Sequence, residues 1–242
     1  MTRASPWWYR HRGVVIAAIY VAGFVAGNIS FDRRPTDSVS TVWGNAFAGG
    51  HGGYIMLWAA VASALIAWIL RASGTAYLNR DVVFASDVQS DRLIVAGPFR
   101  FVRNPLYLGN IFLALAIGIL APPIGFAIIF IGNVVVAALL AAEESKQMAA
   151  RYGSTYAAFR AAVPAFVPRV TAASVPGSAT VRPLWRQALL GEAFCLMLGI
   201  AIVPLALFRA GGVTAFWAIC IPTFIVFSLS GWWAGRARAS RA

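Results

Sequence analysis

Hydrophobic positions in this chain gather into long runs separated by short polar segments. A helix crosses the hydrocarbon core of a bilayer with about 20 predominantly apolar residues. Six stretches reach or approach that length: Val14–Phe31, Gly53–Leu70, Pro105–Ala121, Ile124–Ala142, Gln187–Phe208 and Val213–Trp233. The third is short, and Pro122-Pro123 divides it from the fourth. Two prolines stop a helix, so these runs predict a tight helical hairpin. Beyond it, Met148–Arg169 places Met148, Tyr152, Tyr156, Phe159 and Val163 at helical spacing, which predicts an amphipathic interfacial helix ended by Pro164. The expected fold is all-α: a polytopic transmembrane bundle of about six spans.

Composition supports lipid as the solvent. Charged residues make up 12% and apolar residues 60%, against about 25% charged in soluble domains. Mean hydropathy is +0.73. A net charge of +12 would point to nucleic acid in a soluble protein. Here the basic residues lie between apolar runs, so membrane orientation and anionic headgroups explain them, and nucleic acid is not expected. With six spans, one side receives only Arg33, Arg34 and Arg209, and the other receives all the remaining basic residues. Positive charge stays in the cytoplasm, so both termini are expected there, in a plasma or inner membrane. The first run reads as a retained span, because no A-x-A site ends it. Trp7, Trp8 and Tyr9 before it read as interfacial anchors.

The long loops, 71–104 and 142–186, then both face the cytoplasm, where function is expected to concentrate. The chain divides into an N-terminal helix pair (1–70), a core (71–169), a linker (170–186) and a C-terminal helix pair (187–242). Cys195 and Cys220 lie in apolar runs without metal-type spacing, and His11 and His51 are far apart. No metal site is expected.

The chemistry-bearing residues fall in the core. Arg100 and Arg103 precede Asn104-Pro105, where Asn suits the N-cap and Pro the first helical position. Such a helix start, with its arginines, either holds a carboxylate or phosphate or is simply capped, with arginines snorkelling to headgroups. Glu143-Glu144 ends the fourth apolar run. Carboxylates at a helix C-terminus meet the negative end of its dipole, so a positive partner is expected: Lys146, Arg103 or a cationic ligand. The hairpin would bring these two ends together. Met148–Arg169 either caps that pocket or anchors the chain to the surface. Glu192, within the fifth run, is either functional or a snorkelling carboxylate.

In this order, the elements resemble the isoprenylcysteine carboxyl methyltransferase and phospholipid methyltransferase superfamily of integral membrane enzymes. The matching residues are Leu93-Ile94 with Gly97-Pro98, Arg103-Asn104-Pro105-Leu106-Tyr107-Leu108-Gly109, Glu143-Glu144, Tyr152-Gly153-Ser154-Thr155-Tyr156 and Val163-Pro164. The resemblance covers roughly residues 70–169 and implies S-adenosylmethionine as cofactor, bound at the cytoplasmic interface. It carries cofactor contacts onto Asp91, Arg92, Leu93, Ile94, Phe99, Asn104, Pro105, Leu106, Tyr107 and Glu143. Arg103, Asn104 and Glu144 are positioning candidates. Two positions depart from the pattern: Asn104 replaces the usual histidine, and Leu139 stands where the isoprenylcysteine enzymes have a substrate-contacting arginine.

These expectations converge on a membrane methyltransferase. Its partners would be membrane lipids and a lipophilic or small acceptor bearing a carboxylate, amine or thiol. A non-catalytic six-helix relative with an assembly or regulatory role is the alternative. A transporter is disfavoured, because the first, second and sixth runs carry no charge to line a polar path.

Overall fold

The computed structural model describes residues 6–29, 52–78, 93–176 and 181–239. Eight α-helices account for most of them: α1 Trp7–Arg10, α2 Arg12–Ile29, α3 Gly52–Leu78, α4 Pro105–Gly118, α5 Pro123–Ala162, α6 Trp185–Gly191, α7 Ala193–Phe208 and α8 Val213–Ala239. Short 3-10 turns occupy Gly97–Arg100 and Arg209–Gly212. The chain is all-α, as its apolar runs predict.

Crossing capacity is less uniform than the six runs suggest. By length and composition α3 and α5 can cross a membrane, and α6 with α7 passes the same test as one span bent by 50°. Over their described residues α2, α4 and α8 are apolar but shorter. At 1.5 Å per residue, the 14 residues of α4 rise about 21 Å, less than the hydrocarbon thickness of about 30 Å. Helix length therefore does not carry the six-span reading, which stands on the charge pattern.

Neighbouring helices pack in the spatial order α2, α5, α4, α3, α7, α8, with α6 also against α3. The hairpin forms as expected. Helix α4 ends at Gly118, and Pro123 opens α5, where its missing N–H costs nothing. Small residues bring helices close, as membrane interfaces favour. A Cβ on Gly125 would stand 2.5 Å from the Gly23 carbonyl oxygen, so α2 and α5 meet backbone to backbone. Ala60, Ala64 and Ala67 are fully buried along α3.

Three expectations need correction. Glu143 and Glu144 do not end a helix: α5 runs on to Ala162. Hydropathy falls at Glu143, but Glu, Lys, Gln, Met and Ala all propagate helices. The macrodipole objection to the two carboxylates therefore lapses.

The interfacial helix is likewise no separate element. It is the distal part of α5, kinked at Gly153 (φ 51°, ψ −121°), a left-handed conformation that disfavours side chains. Its apolar stripe faces protein rather than lipid: Tyr156, Phe159 and Val163 form a core with Leu93, Val95, Ala173 and Val175. Two residues of the expected linker thus belong to that core.

Third, Arg71 lies within α3 rather than in a loop. Its Nε donates to Glu192 Oε2 at 2.7 Å, and its Nη1 donates to Asn110 Oδ1. Thr75 donates to Glu192 Oε1 at 2.8 Å. Glu192 is only 3% exposed and does not snorkel. It sits at the bend between α6 and α7, so the fifth apolar run is broken where its carboxylate turns to α3. A second run free of charge, one ground for disfavouring a transporter, is not what the fold contains.

Candidate functional site

The site is built where the start of α4, the middle of α5 and the N-terminal α1 meet. Arg103 and Asn104 set its frame. The Arg103 Nε donates to the Val163 carbonyl at 2.8 Å, its Nη1 reaches the Tyr156 hydroxyl at 3.4 Å, and its backbone N–H donates to Pro164 O at 2.9 Å. Asn104 donates from Nδ2 to Ala165 O at 3.1 Å and from its backbone N–H to the same oxygen at 3.3 Å. Further along, the Arg169 N–H donates to Phe101 O and the Ala173 N–H to Arg100 O, both at 2.9 Å. Residues 163–173 thus form a strap bonded along residues 100–104.

The kink at Gly153 positions the strap. Tyr156 donates to Ser145 Oγ at 2.8 Å. In a straight helix those positions would be separated by about 16 Å of rise, beyond the reach of both side chains together. Reversal at Gly153 lets the end of α5 fold back, bringing Val163-Pro164 to Arg103. The two motif segments, far apart in sequence, are therefore one clasp.

About one helical turn along α4 from the clasp, Tyr107 and Glu144 meet. The Tyr107 hydroxyl donates to Glu144 Oε1 at 2.5 Å. A second phenol, Tyr9 from α1, donates to the same oxygen at 3.3 Å. Burial, with Glu144 beside it, pushes the Tyr9 phenol well above its ordinary range, so it remains a donor at neutral pH. No ion pair to Glu144 and no hydrogen bond to its Oε2 form among the described residues. The other two glutamates have cations, Glu143 with Lys146 at 3.5 Å and Glu192 with Arg71 at 2.7 Å. Glu144 is therefore a carboxylate hydrogen-bonded by neutral donors, with the Arg12 guanidinium acting on it through space and one oxygen still able to accept.

Not every expected site residue joins this cluster. Leu93 is buried in the Tyr156–Phe159 core, Ile94 is half-buried, and Phe99 is buried on the 3-10 turn. Pro105 is buried, and Leu106 packs against Gly74 of α3, away from Tyr107. Glu143 faces Lys146, and Arg103 is engaged by the strap instead of by either glutamate. Asn104 does not cap α4 with its side chain, so the anion-capable helix start has no side-chain cap. Leu139 is 50% exposed on the outer face of α5. Asp91 and Arg92 lie outside the described residues. Tyr9 is the residue that sequence reasoning missed, because beside Trp7 and Trp8 it resembles an interfacial anchor.

The hairpin brings the Arg103–Tyr107 helix start beside the Glu143-Glu144 pair, and Glu144 rather than Glu143 is the carboxylate that meets Tyr107. Residues 51–155 match the phospholipid methyltransferase family. The matched segment runs from the start of α3 through the hairpin and past Glu144 to the Gly153 kink, and it lies within the superfamily expected from the motifs. It supports a membrane methyltransferase. Neither the curated proteins nor the solved structures give a significant match to the chain. Tyr107 and Glu144 fall inside the matched segment, whereas Tyr9 and the strap fall outside it.

Proposed function

We propose that the chain is an S-adenosylmethionine-dependent methyltransferase acting at the cytoplasmic membrane face on a lipophilic or small nucleophilic acceptor. One observation carries this reading: Glu144, inside the family-matched segment, accepts from two phenols and forms no direct ion pair among the described residues, with the Arg12 guanidinium acting on it only through space. The residues fit such a cofactor, which brings a sulfonium, an ammonium and a carboxylate. Glu144 suits the cations, and the Tyr107 ring offers a π face beside it. With Arg103 spent on the strap, the uncapped start of α4 is the better candidate for the carboxylate. Bound there, the cofactor would supply an electrophilic methyl group.

The protein's own part is then to orient and to exclude water. Tyr107 fixes the Glu144 rotamer, the clasp fixes α4 against α5, and the apolar helices keep bulk water from the reacting atoms. His11 is exposed and turned to the Trp7 carbonyl at 2.9 Å, so no imidazole base stands at the cluster among the described residues. The acceptor is therefore one that arrives nucleophilic: a carboxylate, thiolate or amine. A non-catalytic relative is the second reading, favoured by Asn104, whose side chain serves the strap where the family carries histidine.

Incubating membranes that contain the protein with methyl-labelled S-adenosylmethionine tests this. The expected outcome is a labelled extractable product that disappears with Glu144→Gln. Label in lipid identifies a headgroup or lipid-borne acceptor, and label in a small product excludes one. No Glu144-dependent label in either fraction contradicts catalysis and leaves the second reading.

A further inference from the structure

Tyr9 comes from a four-residue helix outside the family-matched segment, yet its side chain is 2% exposed and meets Glu144 across 135 positions of sequence. Its neighbour Trp7 is 61% exposed. The two phenols on Oε1 are unequal. Tyr107 bonds at 2.5 Å from within the hairpin, whereas Tyr9 bonds at 3.3 Å, a weaker geometry. The attachments of α1 are local. Its backbone bonds run from Tyr9 and Arg10 to Pro6 and from His11 to Trp7, and it joins α2 through the His11 turn and the Arg12 side chain. Arg12, the first residue of α2, lies 5.3 Å from the Tyr9 ring and donates to its carbonyl at 3.5 Å, so these two contacts tie α1 to α2. The Tyr9–Glu144 bond is the one side-chain hydrogen bond from α1 to the hairpin among the described residues.

We propose that Tyr9 is a gate over Glu144: its hydroxyl holds the place at the carboxylate that the cationic group of the ligand takes, and α1 swings aside as that group binds. This rests on the reading of Glu144 as the cofactor-facing carboxylate. The exchange is chemically favourable. A cation at a carboxylate oxygen makes a charge-assisted contact, stronger than that of a neutral phenol at long distance, and Tyr107 keeps Glu144 oriented while Tyr9 leaves. Turning α1 about His11 releases the two Arg12 contacts to Tyr9 and leaves α4 and α5 in place. Access to the site is thereby set by a segment the family core does not contain.

Hydrogen exchange of residues 6–20 in lipid nanodiscs, measured beside an S-adenosylmethionine titration, tests the gate. Tyr9→Phe keeps the ring and Glu144→Gln keeps the shape, so both variants should fold. Each should speed amide exchange in α1, with no further gain in the double variant. Saturating S-adenosylmethionine should speed it in the unmodified protein. Tyr9→Phe should bind the cofactor about two- to fivefold more tightly, having lost a competing hydrogen bond. Equal or weaker binding by Tyr9→Phe, or slower α1 exchange when the cofactor binds, overturns the gate and makes Tyr9 a fixed wall. Exchange unchanged in Tyr9→Phe overturns it whatever binds. If the unmodified protein binds no cofactor while Tyr9→Phe still exchanges faster, the cofactor reading fails. Tyr9 then remains a latch on Glu144 for another cation.

Discussion

In the proposed site, Tyr107 and Glu144 would take on the role that the sequence assigns to a larger set of residues. Glu143 and Glu144 are adjacent, so helical geometry points them about 100° apart: Glu144 turns to Tyr107 and Tyr9, and Glu143 to Lys146. Removing the shorter donor with Tyr107→Phe should weaken cofactor binding about tenfold, the expected size of one hydrogen bond to a charged group. Glu143→Gln removes only the 3.5 Å partner of an exposed lysine, and such pairs contribute little. A change of less than about threefold is expected. Calorimetric titration of both variants checks the division. Equal losses would mean that both carboxylates face the ligand.

Among the elements, the clasp between residues 100–104 and the strap 163–173 shapes the site. Arg103 uses a planar fork to reach a carbonyl and a hydroxyl together, which an ammonium does not reproduce. Arg103→Lys should therefore lower thermal stability nearly as far as Arg103→Ala and expose residues 163–176 to protease. Gly153→Ala places a side chain at positive φ, costing about 1–2 kcal/mol, and should lower the melting temperature in the same assay. Full rescue by lysine would contradict the fork.

The hairpin was legible from Pro122-Pro123, whereas the strap's contact was not, since residues 148–169 read equally as a cap on the pocket or a surface anchor. The length of α5 was not legible either. Hydropathy marks where lipid ends, whereas Glu143, Ser145, Lys146 and Gln147 let the helix continue. Nor was the direction of the amphipathic stripe legible, because burial against protein and burial in a membrane surface demand the same spacing.

At the scale of the whole molecule, the C-terminal helices join the family-matched segment through α3, with Arg71, Thr75, Asn110 and Glu192 as a largely buried polar knot. The apolar runs gave no sign of it, since its members come from three segments up to 121 positions apart and each alone reads as a residue near an interface. Glu192→Ala leaves Arg71 without its carboxylate and should cost about 3–5 kcal/mol. Arg71→Met with Glu192→Leu should recover part of that loss, and thermal unfolding in detergent measures both. Orientation rests on the uneven distribution of arginine. It predicts that single cysteines placed at positions 5 and 240 react with an impermeant thiol reagent only from the cytoplasmic side. Labelling of either from outside would refute the six-span reading.

The central claim is that Glu144 is the carboxylate that receives a cationic cofactor. Titrating S-adenosylmethionine into the purified protein in nanodiscs, with Glu144→Gln alongside, tests it most directly. Saturable binding that weakens at least about tenfold in the variant is the predicted result, as loss of a charge-assisted contact requires. Binding that is undetectable at millimolar cofactor, or indifferent to Glu144→Gln, would contradict it.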